Sequence, residues 1–150
     1  MVAFALLIAA LGLTPIQGPA RVIDGDTIVI SGEHIRLEGI DAPERNQICH
    51  SQSDWKCGVV SGEQLKLQIG TQVVRCVVSG RDRYKRALGT CSTGTVNLNE
   101  WMVVSGWAVA YRRYGSQYVL AEDFARKEQR GIWKSEFEMP WEWRAEERRR

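Results

Sequence analysis

The chain has 150 residues, 44% of them hydrophobic and 25% charged, a composition that suits one ordinary globular domain and excludes disordered and collagen-like chains. Twenty Lys and Arg against eighteen Asp and Glu leave a net charge of +2, which excludes an acidic tail protein and a nucleic-acid clamp working by bulk positive charge. That near-neutrality is a cancellation. Residues 24–44 carry six acids and one base, a local −5, whereas residues 75–86 carry five bases and one acid, a local +4.

Residues 2–13 (VAFALLIAALGL) form an unbroken apolar run, and the first charged side chain is Arg21. The run is shorter than the roughly 20 residues that span a bilayer and suits the hydrophobic region of an export signal, with Gly18 and Ala20 as small residues for cleavage. An export signal is therefore expected over 1–20, although no Lys or Arg precedes the run; the alternatives are an uncleaved anchor and a buried first helix. Cleavage would leave 130 residues and the same +2 charge.

RVIDGDTIVI (21–30) and EHIRLEGI (33–40) read as two strands around a Ser31-Gly32 turn. Ser61 followed by Gln64 is a capping-box pattern ahead of Leu65, Leu67 and Ile69, predicting a short helix over 61–69. QVVRCVVSG (72–80) and ALGTC (87–91) read as a hairpin with a charged loop, followed by a brief strand over 95–97. Asn97 caps a helix bearing Leu98, Trp101, Met102 and Val104, with Glu100 in its first turn and Gly106 at its exit. Ser116 opens another, with Leu120, Phe124 and Ala125 on one face and Gly131 closing it. The tail, 135–150, starts a helix at Pro140 and ends in EERRR. It reads as a solvated helix with bases near its negative pole, in preference to a DNA-contact arm, with Trp141 and Trp143 packed back on the body.

Four cysteines, Cys49, Cys57, Cys76 and Cys91, form an even set that in an exported chain favours disulfides, with three possible connectivities. The hairpin sets Cys76 opposite Cys91 and leaves Cys49 for Cys57. The competing zinc site with His50 is disfavoured because there is no CxxC pair.

The acidic segment carries the chemistry. Asp26 lies in VIDGDTI, and Asp41 and Glu44 lie in GIDAPE, so a hairpin brings three carboxylates together at strand ends. Oxygen donors without histidine suit a hard cation, Ca²⁺ or Mg²⁺. Pro43 holds Ala42 extended and turns its carbonyl toward the same place. Asp24 supports the site from behind or hydrogen-bonds the turn, and Gly25 marks a bulge or a close backbone approach. Arg36, between Ile35 and Leu37, brings a guanidinium against these acids, either as a structural ion pair or as a phosphate clamp. In RDRYKRALG, Arg81, Arg83, Lys85 and Arg86 surround Tyr84, a cationic patch with a ring on which a base can stack; the plain alternative is a solvated turn.

RVIDGDTI, IRLEGIDAPE, RDRYKRALG and SGWAVAYRRY, in that order over residues 21–134, resemble the successive motifs of the thermonuclease family, the staphylococcal-nuclease-like secreted endonucleases. The resemblance implies an OB-fold, a five-stranded Greek-key β-barrel with about three helices beside it, and Ca²⁺-dependent hydrolysis of DNA and RNA. It implies that Asp26, Asp41 and the Ala42 carbonyl bind calcium. Glu44 is then the residue that positions or deprotonates the attacking water, and Arg36 and Arg86 are the catalytic arginines. Asp82, Arg83 and Tyr84 fall where the family binds the terminal phosphate and flanks the base, and Tyr111 and Tyr114 where it supplies pocket tyrosines. Arg112 and Arg113 between those tyrosines, Lys85 in place of a more usual glycine, and Ala42 in place of a hydroxyl residue depart from the family pattern. The cysteines match exported relatives with an insertion after the catalytic glutamate. A non-catalytic OB-fold nucleic-acid-binding module is the rival reading, and an envelope protein held by 2–13 a third. The joint presence of Asp26, Arg36, Asp41, Glu44 and Arg86 separates the first from the second, since a binder needs no such set. The expected protein is a monomeric periplasmic or secreted nuclease acting on DNA or RNA, with no stable membrane partner once the signal is removed.

Overall fold

A computed structural model describes residues 14–150, so the apolar run at 2–13 lies outside the described residues. In chain order the strands and helices begin with β1 (Ile16–Gly18), β2 (Ala20–Asp24), β3 (Thr27–Ile30), β4 (Glu33–Leu37), β5 (Ile40–Asp41), β6 (Cys49–His50) and β7 (Asp54–Trp55). Helix α1 (Cys57–Ile69), β8 (Val74–Arg81), β9 (Ala87–Thr93), β10 (Val96–Asn97), α2 (Leu98–Val104), β11 (Val109–Ala110), α3 (Val119–Lys127) and α4 (Pro140–Glu147) follow. Short 3₁₀ turns lie at Arg112–Tyr114 and Gly131–Lys134.

The main sheet runs β1-β8-β9-β4-β3-β2, with β10 paired to β9. Only the β4–β9 pair in it is parallel, with Ile35 opposite Ala87. The two ends of this path, β1 and β2, are separated in the chain by Pro19 alone. The sheet therefore curls back on itself as a barrel, which removes most of its open edges. Its interior is filled by Ile28, Ile30, Ile35 and Leu37 from the strands, Leu65 from α1 and Met102 from α2, all fully buried. Ile16–Gly18 pairs with β8 and Ala20 lies opposite Ile30, so the expected leader boundary at residue 20 falls within the first two strands. Among the described residues no helix is long and apolar enough to cross a membrane.

The expected strand over 21–30 is divided by a turn at Gly25-Asp26, with a register shift between Val22 and Asp24. Close packing demands the glycine: a Cβ there would lie 2.0 Å from Ser61 Oγ and 2.6 Å from the Ala42 Cβ. The helix expected over 61–69 begins at Cys57 instead. Ser61 is buried within it and donates to the Trp107 carbonyl at 2.6 Å, so its hydroxyl joins two elements rather than capping one. Helix α3 also corrects its expected face: Ala125 is buried, but Leu120 is 83% exposed and Phe124 half-exposed. The side chain buried beside Ala125 is Glu122, whose Oε1 accepts the Ala110 N–H at 3.0 Å. The need to satisfy that backbone donor turns the helix. Four α-helices are present among the described residues, against about three expected.

Other local expectations hold. Asn97 Oδ1 accepts the Glu100 N–H at 3.1 Å as the α2 cap, Gly106 exits with φ +78°, and the disulfides are Cys49–Cys57 and Cys76–Cys91.

Candidate active site

The Gly25-Asp26 turn presents Asp26 at the barrel rim. Asp24 Oδ1 accepts the Asp26 N–H at 3.1 Å, which closes the turn by a local side-chain bond. One Asp26 oxygen accepts the Thr27 hydroxyl and the other accepts the Ala42 N–H at 2.8 Å. Antiparallel pairing sets Arg36 opposite Thr27, so its guanidinium meets Asp26 Oδ2 at 2.9 Å and Asp41 Oδ1 at 3.1 Å. The Asp26 contact, made by Arg36 Nη1, is an ion pair without an aligned hydrogen bond. Gly39, at φ +80°, turns the chain into β5, where pairing of Asp41 with Val109 leaves the Asp41 side chain fully buried.

Glu44 is held through its backbone. Its N–H donates to Gln47 Oε1 at 3.1 Å, its carbonyl accepts the Gln47 N–H at 2.8 Å, and Gln47 Nε2 donates to the Glu138 carbonyl at 2.6 Å. Gly58 packs directly on the Glu44 carbonyl, where a Cβ would lie at 1.7 Å. The Cys49–Cys57 bridge and the start of α1 thus form the support behind Glu44. Its side chain remains one-third exposed.

Arg86 comes from the β8–β9 loop. Asp82 accepts its Nε at 2.7 Å, its backbone N–H at 3.0 Å and the Tyr84 N–H at 2.9 Å, and Lys85 turns at φ +65°. A left-handed φ of this kind favours glycine, and here a lysine adopts it. Arg86 Nη1 reaches Thr27 Oγ1 at 3.4 Å, so Arg36 and Arg86 converge across Thr27. Arg83 and Arg86 lie 4.8 and 5.6 Å from the centre of the exposed Tyr84 ring. Asp26, Arg36, Asp41, Glu44 and Arg86 line one open cavity of about 490 Å³. Asp82, Arg83, Tyr84 and Tyr111 line the same cavity. Ala42 is buried behind the rim, and the Tyr111 ring packs 5.8 Å from Trp141. The Tyr114 side chain lies outside the described parts of the chain.

Among the described residues, one side chain in the candidate site escaped the sequence reading. Arg144, on α4, donates from Nη1 and Nη2 to the two Asp41 oxygens at 2.9 and 2.8 Å, and from Nη1 to Glu44 Oε1 at 2.7 Å. The tail is thus part of the site rather than a wholly solvated helix. No motif marks Arg144; the Pro140 start and the two tryptophans were the only signs that the helix docks.

The family model described as staphylococcal nuclease homologue matches residues 34–135. The chain belongs to the staphylococcal nuclease homologue family. It is 39% identical over 127 residues to the succinoglycan biosynthesis protein ExoI of Rhizobium meliloti, a match spanning 81% of this chain and 66% of that one. An uncharacterized endonuclease of Escherichia coli is 35% identical over 132 residues, covering 83% and 81% of the two chains. The micrococcal nuclease of Shigella flexneri is 32% identical over 142 residues, covering 83% and 77%. The barrel is accordingly the OB-fold of this nuclease family, and the chain is a hydrolase whose class of substrate is nucleic acid.

In this nuclease, burial and the neighbouring Asp26 raise the Asp24 carboxyl to about 7. Burial likewise raises Asp41, opposed by hydrogen bonds and charge from Arg144 and by Arg36. For Arg36, burial favours loss of the proton, but Asp26 and Asp41 outweigh it and the pKa is raised. Asp82 goes the other way, because its bonds to Arg86 outweigh its desolvation and lower it. Among the described residues no three His, Cys, Asp or Glu side chains stand ready as a metal cage. The donor chemistry nevertheless suits a hard cation: Asp26 and Asp41 are buried hard oxygen donors lining the cavity, and their charges draw in two guanidiniums, Arg36 and Arg144, for compensation.

Proposed function

We propose that the protein is a calcium-dependent nuclease that hydrolyses DNA or RNA phosphodiesters, with Glu44 as general base and Arg36 and Arg86 as catalytic arginines. The observation that carries this reading is the convergence of Arg36, Arg86 and Glu44 with two rim aspartates on one open cavity. Calcium would be held by Asp26, Asp41 and the Ala42 carbonyl, and would there supply positive charge to a phosphate oxygen.

The remaining work belongs to side chains. Glu44, partly exposed at the cavity edge, accepts a proton from the attacking water as the water oxygen bonds to phosphorus and one ester P–O bond breaks; the departing alkoxide takes a proton from solvent, and Glu44 returns its own to solvent. Arg36 and Arg86, pre-oriented by Asp26 and Asp82, donate to the phosphate oxygens as charge accumulates, and fixed donors need little reorganisation at that moment. Tyr84, exposed and flanked by two guanidiniums, offers a stacking face for a base, and Asp82 orders the loop that carries it. Tyr111 and Tyr114 are proposed to complete the base pocket. The two disulfides support export, as periplasmic or secreted proteins keep such bonds and cytosolic ones rarely do. A leader over 1–20, whose cleavage at residue 20 would remove β1 from its pairing with β8 and which would otherwise stay as an uncleaved anchor, and a monomeric state belong to the same proposal.

Cleavage of single-stranded DNA by the purified protein, with Ca²⁺, with chelator and with Glu44→Gln, tests it. Ca²⁺-supplied wild type is expected to cleave and the other two samples to be strongly impaired. Equal rates with Ca²⁺ and with chelator would refute the calcium-dependent mechanism. Binding without cleavage in every arm would instead make the protein a nucleic-acid-binding module.

A further inference from the structure

Arg144 stands where a metal-binding carboxylate must be free. Both oxygens of Asp41 accept from its guanidinium, and Asp41 Oδ1 also accepts from Arg36. The same Nη1 that bonds Asp41 Oδ1 also bonds Glu44 Oε1. One side chain therefore engages a proposed calcium ligand and the proposed base together. A guanidinium bound in this fork-like way is a diffuse cation with fixed direction, whereas calcium needs the same oxygen lone pairs at short range. Both cannot hold Asp41 in this geometry.

Helix α4 does not depend on that contact for its position. Pro140 is buried, Glu138 accepts from Gln47, Trp143 Nε1 donates to Asn46 Oδ1 at 3.2 Å, and Trp141 packs on Tyr111. The Arg144 side chain is 31% exposed and opens on the cavity. It can leave Asp41 by rotating about its own bonds while the helix stays docked.

We infer that Arg144 is a built-in counter-ion that occupies the carboxylate seat in the metal-free protein and is displaced when a divalent cation binds, so that the C-terminal helix sets the metal affinity of the site. This rests on the calcium reading above. The two cations compete: if Arg144 holds the seat about 90–99% of the time, the apparent calcium affinity is lowered about 10- to 100-fold.

The test is calorimetric titration of Ca²⁺ into metal-free wild type, Arg144→Met and Asp41→Asn, each checked for folding by circular dichroism. Arg144→Met is expected to bind about 10- to 100-fold more tightly than wild type, and Asp41→Asn to lose binding. Equal or weaker binding by Arg144→Met, with calcium still bound by wild type, overturns the role of Arg144 and leaves the calcium reading standing. Absence of binding by both, or full binding by Asp41→Asn, removes the calcium site and this inference with it. Should Arg144→Met not fold, the side-chain Nε–H signals of ¹⁵N-labelled wild type decide, with Arg144→Lys giving the assignment. Movement of the Arg144 signal to the position of a solvated arginine at calcium saturation supports displacement, and an unmoved signal overturns it.

Discussion

The carboxylate of Asp26 accepts the backbone N–H of Ala42 at 2.8 Å, joining positions 16 residues apart. The bond ties the β2–β3 turn to the end of β5, and the same oxygen carries the ion pair with Arg36 at 2.9 Å. Asp26 is therefore structural as well as a proposed calcium ligand.

Asp26→Ala leaves a buried N–H and a guanidinium short of their partner and is expected to cost about 2–4 kcal/mol. Asp26→Asn keeps an acceptor oxygen, so it should recover much of that stability while calcium binding stays weak. Urea denaturation and calcium titration of both variants separate the two roles. Equal stabilities would show that the Ala42 bond contributes nothing.

Arg86→Lys keeps the charge but loses the fork that Asp82 orients at Nε. The expected result is a fall in kcat of about 10²- to 10³-fold, on the scale of losing one transition-state donor, with a smaller change in KM. Steady-state cleavage of a short labelled oligonucleotide measures it. An unchanged kcat would remove Arg86 from the reaction.

Asp24 gives a pH signature in the metal-free protein. Its carboxyl is raised from 3.8 to about 7 by burial and by Asp26, so the folded state resists ionisation that the unfolded state permits. The favourable contribution of the neutral group is complete below about pH 4 and is lost as the pH rises to about 7. Asp24→Asn retains the oxygen that accepts the Asp26 N–H and should match wild type near pH 4. By pH 8 it should be more stable by on the order of 1–3 kcal/mol. Parallel urea midpoints at the two pH values check this, and a constant difference would contradict it.

The disulfides should separate stability from activity. Replacing both Cys76 and Cys91 by Ala opens a bridge of sequence separation 15 and is expected to cost about 3 kcal/mol, with activity retained below the melting transition. Replacing Cys49 and Cys57, of separation 8, should cost about 2.5 kcal/mol but reduce cleavage more, because that bridge stands behind Glu44. Thermal melts and cleavage rates on both double variants report the two effects. The reverse ranking of activities would show that the support behind Glu44 is dispensable.

Much of the site was legible because its residues lie in short segments whose geometry is local. Asp41 ends β5 and Ala42 and Glu44 follow it directly, Arg36 is placed by strand alternation, and Asp82 reaches Arg86 within its own loop. The capping-box pattern at Ser61 misled, because its hydroxyl satisfies a carbonyl 46 residues away. Leu120 and Phe124 misled for a similar reason: a buried bond from Ala110 to Glu122 outranks the apolar periodicity of α3. Arg144 was illegible because its partners lie about a hundred residues earlier, and a charged helix beside EERRR looks solvated in the sequence.

From the sequence alone came the proposed donor set, the α2 cap, the cysteine pairs and the uneven distribution behind the +2 charge. Only the tertiary structure decided how that charge is compensated. Within the +4 segment, Arg81 pairs with Glu33 and so joins the two segments, and Arg86 pairs with Asp82. At the proposed metal seat, Asp26 and Asp41 are met by Arg36 on β4 and by Arg144 from the tail. Ionic partners are chosen by distance and burial after folding, and the parallel β4–β9 pairing and the docking of α4 set those distances across long stretches of chain.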